Sequence, residues 1–399
     1  KINYYCRISA LRICPNNGDM KMSNFTATDN ICYEDHKIIG GCGLAAMIDV
    51  SKKPMSGDSI INSIASMHDR GNGLGGGFAI YGCYPEFPDY YAFHCFFNDA
   101  TAAENAENYL NKYFYVDKHG ALPHRHETKF DSHPLGKHPL IRRYFVKSRR
   151  VFTDTPNIAY ENIDDDEFVV RRVMEINSTI KGAYVFSSGK NMGVFKGVGY
   201  PEDIADFFML ENYKGYMWTA HNRFPTNSPS WWGGAHPFGL LDYTVVHNGE
   251  ISSYGINKRY LEMYDYELTC MTDTEVIVYI FDLLVRKHKL PIEIVCKVLT
   301  PDFWSRIDGM NETDKKLYEA IRIVYGSISL NGPFAVVLAF ANGMIGLNDR
   351  IKLRPLVAAI EGDKTFIASE ESAIMHMSKK PDKIWHPVAG EPVIALTQN

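Results

Sequence analysis

The sequence predicts an α+β fold in which stacked β-sheets are covered by helices. Short apolar strands come in groups, several of them as hairpins, and helices stand between the groups. A regular alternation of strand and helix would instead indicate a parallel sheet. With 399 residues, 45% of them apolar, the chain can bury the core of one large domain or of two ordinary ones.

A polar leader precedes the folded part. Residues 1–41 show no sustained periodicity, so we interpret them as a leader, a propeptide or a misassigned start. From residue 42 the pattern becomes that of a folded domain, which we place at 42–399. The division therefore falls immediately before a cysteine.

The periodicity of apolar residues places the elements of that domain. In chain order they are a strand over 43–50, a helix over 57–70, a strand over 77–82, a helix over 101–114, two strands within 183–197, strands within 215–224 and 243–251, helices over 274–288 and 314–326, and two hairpins that turn at Asn342-Gly343 and Gly362-Asp363. Residues 118–165, rich in His, Pro, Arg and Asp, are interpreted as a long excursion.

Composition excludes several classes of protein. The net charge of −5 is mild and argues against nucleic-acid or polybasic membrane surfaces, and no apolar run approaches the roughly 18 residues of a membrane span. The eight cysteines show no C-x-x-C spacing, so we expect no zinc or iron–sulfur ligation by this chain. With no recognisable export signal, we expect free thiols in a reducing cytoplasm.

The segment GNGLGGG, residues 71–77, contains the G-x-G-x-x-G spacing of a dinucleotide-binding loop. Such a loop follows a strand and opens a helix, whereas here a predicted helix precedes the glycines and a predicted strand follows them. We therefore expect no nucleotide site. The glycines are interpreted as room for a backbone or ligand that lies close to Arg70.

Cys42 stands in the stretch HKIIGGCGLAAMIDV, residues 36–50, with glycines on both sides. A structural cysteine inside a strand usually has apolar or β-branched neighbours, whereas glycines let another group approach the backbone closely. One interpretation is a glycine-rich turn with a chance cysteine. The other is a reactive cysteine at a chain start.

Two polar clusters follow predicted strands. In AHNRFPTNSPSWWGGAHPF, residues 220–238, Arg223 suits bidentate capture of a carboxylate, or else it stacks on a surface tryptophan. In VVHNGEI, residues 245–251, Asn248-Gly249 has the sequence of a hairpin turn. A side-chain amide and a backbone N–H can also hold one oxygen together, as an oxyanion hole requires.

A third cluster, TCMTDTEV at residues 269–276, precedes a predicted helix. Thr272 and Glu275 have the spacing of a capping box, which accounts for both of them. Asp273 is then an acid in the first turn of the helix, where it complements the helix dipole or binds an ammonium group.

The order of these clusters resembles that of the class II glutamine amidotransferases, which belong to the N-terminal nucleophile hydrolases. The glycine-flanked cysteine is followed by Arg-Gly-Asn, His-Asn-Arg-Phe-x-Thr-Asn, His-Asn-Gly-Glu-Ile and Thr-Asp-Thr-Glu. Residues 221–251 nearly match the pattern HxRFSTNTxPSW…HPF…HNGEI of the amidotransferase domain of glutamate synthase, and the likeness covers about 42–375. The resemblance implies a four-layer αββα sandwich of two stacked, mainly antiparallel sheets.

The resemblance also implies a mechanism. Cys42, freed by removal of residues 1–41, attacks the side-chain amide of L-glutamine, and its own α-amine serves as the base. The implied site residues are Asn248 and Gly249 for the oxyanion, Arg223 for the α-carboxylate, Asp273 for the α-ammonium, Thr226 and Asn227 in the substrate-contacting segment, and Arg70 near the nucleophile.

A chain of this kind is expected to act with a partner. The sequence shows no FMN-binding or iron–sulfur segment, so the resemblance implies no cofactor in this chain and a glutamate synthase subunit that holds FMN and an iron–sulfur cluster. Two alternatives stay open: ammonia for a different acceptor synthase, or a non-catalytic regulatory homologue. The segment CGLAA and Pro225 depart from the usual family pattern but leave every implied catalytic group in place.

Overall fold

Two large antiparallel sheets lie face to face at the centre of the fold. The structure, a computed structural model, describes residues 41–125, 138–149, 163–225 and 230–398. The strands in these ranges are β1 (Gly43–Asp49), β2 (Met55–Ser56), β3 (Gly76–Tyr81), β4 (Tyr91–Phe97), β5 (Phe114–Ala121), β6 (Leu140–Ser148), β7 (Ala183–Ser187), β8 (Met192–Gly197), β9 (Lys214–Gly215), β10 (Met217–Asn222), β11 (Phe238–Leu240), β12 (Tyr243–Gly249), β13 (Phe334–Phe340), β14 (Gly343–Asn348), β15 (Val357–Glu361), β16 (Lys364–Ala368), β17 (Lys383–Trp385) and β18 (Val393–Leu396).

The helices of the same ranges are mostly short. They are α1 (Asp58–Ala65), α2 (Ala100–Tyr113), α3 (Asp165–Thr179), α4 (Pro201–Phe207), α5 (Tyr254–Glu262), α6 (Asp273–Asp282), α7 (Ile292–Leu299), α8 (Trp304–Ile307), α9 (Glu312–Tyr325) and α10 (Glu371–Met377). None of these helices combines the length and the apolarity that crossing a membrane requires.

The first sheet has seven strands in the order β17-β15-β16-β1-β10-β3-β8, and each neighbouring pair is antiparallel. β1 lies at its centre, between β16 and β10. Every residue of β1 is buried, because the strand is covered on both faces. Its apolar run Leu44–Ile48 therefore shows no alternation with polar residues.

The second sheet has five antiparallel strands in the order β11-β12-β13-β14-β18. Its inner face packs on the first sheet in one shared apolar cluster. Tyr81 of β3 links the two sheets, since its hydroxyl lies 2.8 Å from the Thr244 hydroxyl of β12 and donates to the Ala339 carbonyl of β13 at 3.0 Å. The register between the sheets therefore does not rest on apolar packing alone.

Helices cover the outer faces of both sheets. α1, α4 and α10 pack on the seven-stranded sheet, α6 packs on the five-stranded sheet, and α5 packs against α6. Ile60 and Ile64 of α1 face inward, as their spacing predicts. The resulting order of helix, sheet, sheet and helix is the predicted αββα sandwich, and the predicted fold class is confirmed.

Three expectations need correction. The first helix is shorter than 57–70, because α1 ends at Ala65 and a 3₁₀ turn follows over His68–Arg70. Part of 118–165 is not an irregular excursion: β5 ends in it, and β6 pairs with β5 and β4 in an additional four-stranded sheet. β6 belongs to the fold because its Tyr144 and Val146 are buried in the core.

The two strands predicted within 183–197 are confirmed as β7 and β8, which belong to the four-stranded and the seven-stranded sheet, respectively. The third correction concerns a turn. Asn248-Gly249 is no hairpin turn, because both residues continue β12 and pair with Ala335 and Phe334 of β13. The hairpins at Asn342-Gly343 and Gly362-Asp363 are confirmed.

Candidate functional site

Cys42 directly precedes the central strand β1, at the end of the seven-stranded sheet where β1 begins and β10 ends. Pairing of β1 with β10 sets Gly43 opposite Asn222, so the residues that follow β10 meet the cysteine. The Phe224 N–H donates a hydrogen bond to Sγ of Cys42 at 3.3 Å. The environment of the sulfur is thus fixed by the register of two strands, because a slip by one residue would turn each side chain to the other face.

The electrostatics of Cys42 combine opposing influences. Burial raises the pKa of the thiol, while the Phe224 N–H and the positive charges of Arg223, Arg354 and Arg70 act in the opposite direction. Burial prevails, so the pKa lies above its usual value. A nucleophilic Cys42 would therefore need a nearby base, since only the thiolate attacks.

Arg70 contacts the main chain of the cysteine. Its Nε donates to the Cys42 carbonyl at 3.2 Å, and its Nη1 lies 2.7 Å from the carboxylate of Glu370. Asn222 holds the turn that carries Arg70 by donating to the Met67 and His68 carbonyls. The glycine after Arg70 is necessary there, because a Cβ would overlap the Asn222 side chain.

A cavity of about 240 Å³ opens beside Cys42. Among the predicted site residues, it is lined by Cys42, Arg223, Gly249 and Asp273. Its other described lining residues are Phe224, Pro225, His236, His247, Glu250, Ile251, Tyr254, Met271, Thr272 and Thr274. Cavities for drug-sized ligands usually measure roughly 300–1,000 Å³, so this one suits a molecule about the size of an amino acid.

Opposite charges line this cavity. Arg223 is buried with only 2% of its surface exposed, which excludes the alternative of a surface arginine stacked on tryptophan. Burial lowers the pKa of Arg223, while the thiol of Cys42 and the carboxylate of Asp273 raise it. A zwitterionic ligand can present its carboxylate to Arg223 and its ammonium group to Asp273.

Asp273 is held in place as the first residue of α6. Its Oδ2 accepts a hydrogen bond from the Ile251 N–H at 2.9 Å, and its Oδ1 lies 3.6 Å from Nδ1 of His247. Burial opposes ionisation, but His247, the Ile251 N–H and Thr274 together hold the pKa of Asp273 below its usual value. Asp273 is therefore a carboxylate at neutral pH and can bind an ammonium group.

The helix start follows the prediction only in part. Thr272 caps α6, because its hydroxyl accepts from the Thr274 N–H. Glu275 does not complete the expected capping box; its carboxylate accepts from the N–H groups of Thr269 and Cys270, further back along the chain. The two bonds fix the segment 269–272, whose last residue lines the cavity.

Asn248 and Gly249 differ in their relation to the cavity. Gly249 lines it with a φ of +143°, and a Cβ there would overlap the Pro333 carbonyl. Asn248 is buried and is not among the described residues that line the cavity. Because side chains alternate along a strand, Asn248 shares the face of Val246, which packs between the two sheets. Its Nδ2 makes no hydrogen bond within the described residues.

Three buried histidines next to this cavity were not predicted. Nε2 of His221 lies 2.8 Å from the His247 carbonyl, and the Thr274 hydroxyl bridges His236 at 2.7 Å and His247 at 3.2 Å. Burial lowers the pKa of His221 to about 3, so it is a neutral donor to that carbonyl. The cluster anchors the end of β12 next to Asn248. A signal existed in the histidines of "AHNRF", "GAHPF" and "VVHNG", each beside a predicted strand.

Some predicted residues stay without a structural account. Thr226 and Asn227 lie outside the described residues. In the part of the chain that is described, no three His, Cys, Asp or Glu side chains converge in a way that could hold a metal ion.

The sandwich, with a cysteine at the head of its central strand and a charged cavity beside it, has the fold of the N-terminal nucleophile hydrolases. The family described as Glutamine amidotransferases class-II matches residues 84–386. The chain therefore belongs to the class II glutamine amidotransferase family. The matched range contains Arg223, Asn248, Gly249 and Asp273 and begins after Cys42.

Relatives extend over most of the chain. A protein of Archaeoglobus fulgidus, with no function stated, is 52% identical over 364 residues, which are 90% of this chain and 93% of that protein. A protein of Methanothermobacter thermautotrophicus, described provisionally as a glutamine amidotransferase, is 26% identical over 84% of this chain and 92% of its own length.

Among solved structures, glutamine phosphoribosylpyrophosphate amidotransferase from B. subtilis, in complex with ADP and GMP, matches with 22% identity and a TM-score of 0.35. The match covers 51% of this chain and 38% of that enzyme's chain.

Proposed function

We propose that this chain hydrolyses L-glutamine to L-glutamate and ammonia through a γ-glutamyl thioester on Cys42. The observation that carries the proposal is the convergence of Cys42, Arg223, Gly249 and Asp273 on one cavity of about 240 Å³. The cavity is of amino-acid size, and the charges of Arg223 and Asp273 match the carboxylate and ammonium groups of glutamine.

The proposed reaction has two steps. The Cys42 thiolate attacks the side-chain carbonyl carbon of glutamine, and the oxyanion is held by the Gly249 N–H and the Asn248 amide. The C–N bond breaks, and ammonia leaves with a proton from the base. Water then adds to the thioester, the C–S bond breaks, and glutamate leaves while Cys42 regains its thiol.

The base is proposed to be the α-amine of Cys42, freed by removal of residues 1–41. An amide nitrogen cannot accept a proton, whereas a free amine of ordinary pKa, about 7.7–8, can do so near neutral pH. The intact mass of the purified chain tests this. A chain that begins at Cys42 in the wild type, but not in Cys42→Ala, agrees with processing by the same residue; full glutaminase activity in a chain with the leader attached would exclude the free amine.

The ammonia is proposed to pass to a glutamate-synthase-type subunit that holds FMN and an iron–sulfur cluster. This assignment rests on the likeness of residues 221–251 to the glutamate synthase pattern. Purification of the native complex tests it, because a flavin and iron in the co-purifying subunit are expected. A co-purifying synthase without them would assign the ammonia to a different acceptor, and activity would still be that of an amidotransferase.

The glutaminase step is tested on the purified, processed protein. We expect glutamate release by the wild type and none by Cys42→Ala, with the same thermal unfolding for both. A glutamine analogue with a diazo-ketone side chain should label Cys42 and none of Cys83, Cys95, Cys270 or Cys296, because Cys42 is the cysteine that lines the cavity. Glutamate release by Cys42→Ala would refute the mechanism, and no release by either would favour a non-catalytic homologue.

A further inference from the structure

A third arginine, besides Arg70 and Arg223, lies at the same end of the seven-stranded sheet as Cys42. Arg354 lies in the loop between β14 and β15. β1 and β15 flank β16 and run in the same direction, and Ala45 and Val357 both pair with Ala368. Arg354 and Cys42 each precede these positions by three residues. Both residues therefore lie at the same end of the sheet. Their backbones are two strand spacings, or about 10 Å, apart, and an arginine side chain spans most of that distance.

The loop that carries Arg354 is held before any ligand binds. The buried carboxylate of Asp349 accepts hydrogen bonds from the N–H groups of Ile351 at 3.0 Å, Leu353 at 2.9 Å and Phe334 at 3.1 Å. The proline that follows Arg354 further restricts its backbone to extended conformations. The position and direction of the backbone at Arg354 are thus determined by the fold.

Arg354 lacks the carboxylate partner that Arg70 has. Its Nε is buried and makes no hydrogen bond within the described ranges, whereas Arg70 is paired with Glu370. A buried donor without an acceptor costs free energy, which a matching anion would recover. Burial raises the pKa of Cys42, and the charge of Arg354 counteracts that rise together with those of Arg223 and Arg70. The strand register brings Arg354 to the end of the sheet where Cys42 lies, so the Cys42 thiolate is an anion within range of its charge.

We propose that Arg354 stabilises the negative charge of the Cys42 thiolate, both before its attack on glutamine and when it leaves the thioester. The inference rests on the proposed function, in which Cys42 is the nucleophile. The proton leaves Sγ for the base, and the electron pair stays on sulfur. Arg354 accepts no proton; its charge lowers the free energy of the ionised form.

Several other groups act on the same sulfur and remain unchanged in the variants below. Among the described residues, the charged and titratable groups that face Cys42 or its cavity, besides Arg354, are Arg70 with Glu370, Arg223, Asp273, Glu250, Tyr254, His236 and His247. A difference between variants at position 354 therefore reports the charge at that position.

The experiment measures the rate at which iodoacetamide alkylates Cys42 between pH 6 and 11, with the modified residue identified by mass spectrometry. In Arg354→Gln we expect the midpoint of the profile to rise by about one pH unit, which lowers the alkylation rate below the midpoint about tenfold. Arg354→Lys keeps the charge and should stay within about 0.3 units of the wild type. Lys352→Gln removes one positive charge from the same loop and should leave the midpoint unchanged.

Three results would overturn the inference: an unshifted midpoint in Arg354→Gln, an equal shift in Lys352→Gln, or a shift of a full unit in folded Arg354→Lys. If Arg354→Gln does not fold, Arg354→Met, which also removes the charge, takes its place under the same criteria. Alkylation needs no glutamine, so the two proposals fail separately. Glutaminase activity without the shift refutes this inference alone, and the shift without any glutaminase activity refutes the proposed function alone.

Discussion

The roles of Arg223 and Asp273 can be separated from that of Asn248, because these residues would face charge at different moments of the reaction. Asp273 and Arg223 would meet charges that glutamine carries before reaction. The amide of Asn248 would meet charge that develops only on the oxyanion. Nδ2 of Asn248 has no hydrogen-bond partner in the part of the chain that is described, which agrees with such a role because its hydrogen bond would form only in the transition state.

Asn248→Ala should therefore lower kcat by roughly 100- to 1,000-fold with little change in KM. Asp273→Asn and Arg223→Lys should instead raise KM, because they weaken the binding of groups charged in the ground state. Steady-state glutaminase kinetics on the three variants distinguish the two patterns. An Asn248→Ala enzyme with raised KM and unchanged kcat would contradict the oxyanion assignment.

At the scale of elements, loops are fixed by single buried acids. Glu275 holds residues 269–270, and Asp349 holds residues 351–353. Both acids are buried, Glu275 in the first turn of α6 and Asp349 directly after β14. Each accepts hydrogen bonds from backbone N–H groups that would otherwise lack partners. The cavity wall and the Arg354 loop both depend on such a residue.

Asp349→Ala should destabilise the protein by about 3 kcal/mol, because it leaves three backbone N–H groups without their acceptor. Urea-induced unfolding measures the change. Asp363→Ala removes an exposed carboxylate from the turn of the β15–β16 hairpin and should cost less than about 0.5 kcal/mol. Equal losses in both variants would mean that the bonds of Asp349 contribute little.

For the whole molecule, buried neutral histidines determine how stability depends on pH. Burial lowers the pKa values of His94 and His221 to about 3 and that of His236 well below its usual range. The unfolded chain binds protons at these residues below pH 6.5, whereas the folded chain does not. Their contribution is therefore complete above pH 6.5 and is lost as the pH falls toward 3.

His94→Gln should reduce the loss of stability between pH 7 and pH 5 by about 2 kcal/mol, since 1.5 pH units correspond to about 2 kcal/mol for one proton. His94 is fully buried and lies 2.8 Å from both the Tyr84 hydroxyl and the Val194 carbonyl, so glutamine retains some of this bonding. Urea unfolding at both pH values gives the difference. The exposed His376→Gln should leave the pH dependence as in the wild type, and an unchanged dependence in His94→Gln would contradict the linkage.

The sequence by itself determined the α+β class of stacked sheets covered by helices, the hairpins at Asn342-Gly343 and Gly362-Asp363, and the start of α6 at Thr272. These depend on local periodicity, turn residues and caps, which act over a few neighbouring positions. The order of the polar clusters also brought Cys42, Arg223, Gly249 and Asp273 into one hypothesis, and the structure places these four on one cavity.

Only the tertiary structure decided the rest. Arg354 lies at the same end of the sheet as Cys42 because β15, β16 and β1 are neighbours, although more than 300 residues separate the two residues in the chain. For the same reason Arg70 binds the main chain of Cys42, and Asn248-Gly249 continues a strand although its sequence is that of a turn. Strand pairing across long separations is set by packing in the core, and no local pattern encodes which distant strand becomes the neighbour.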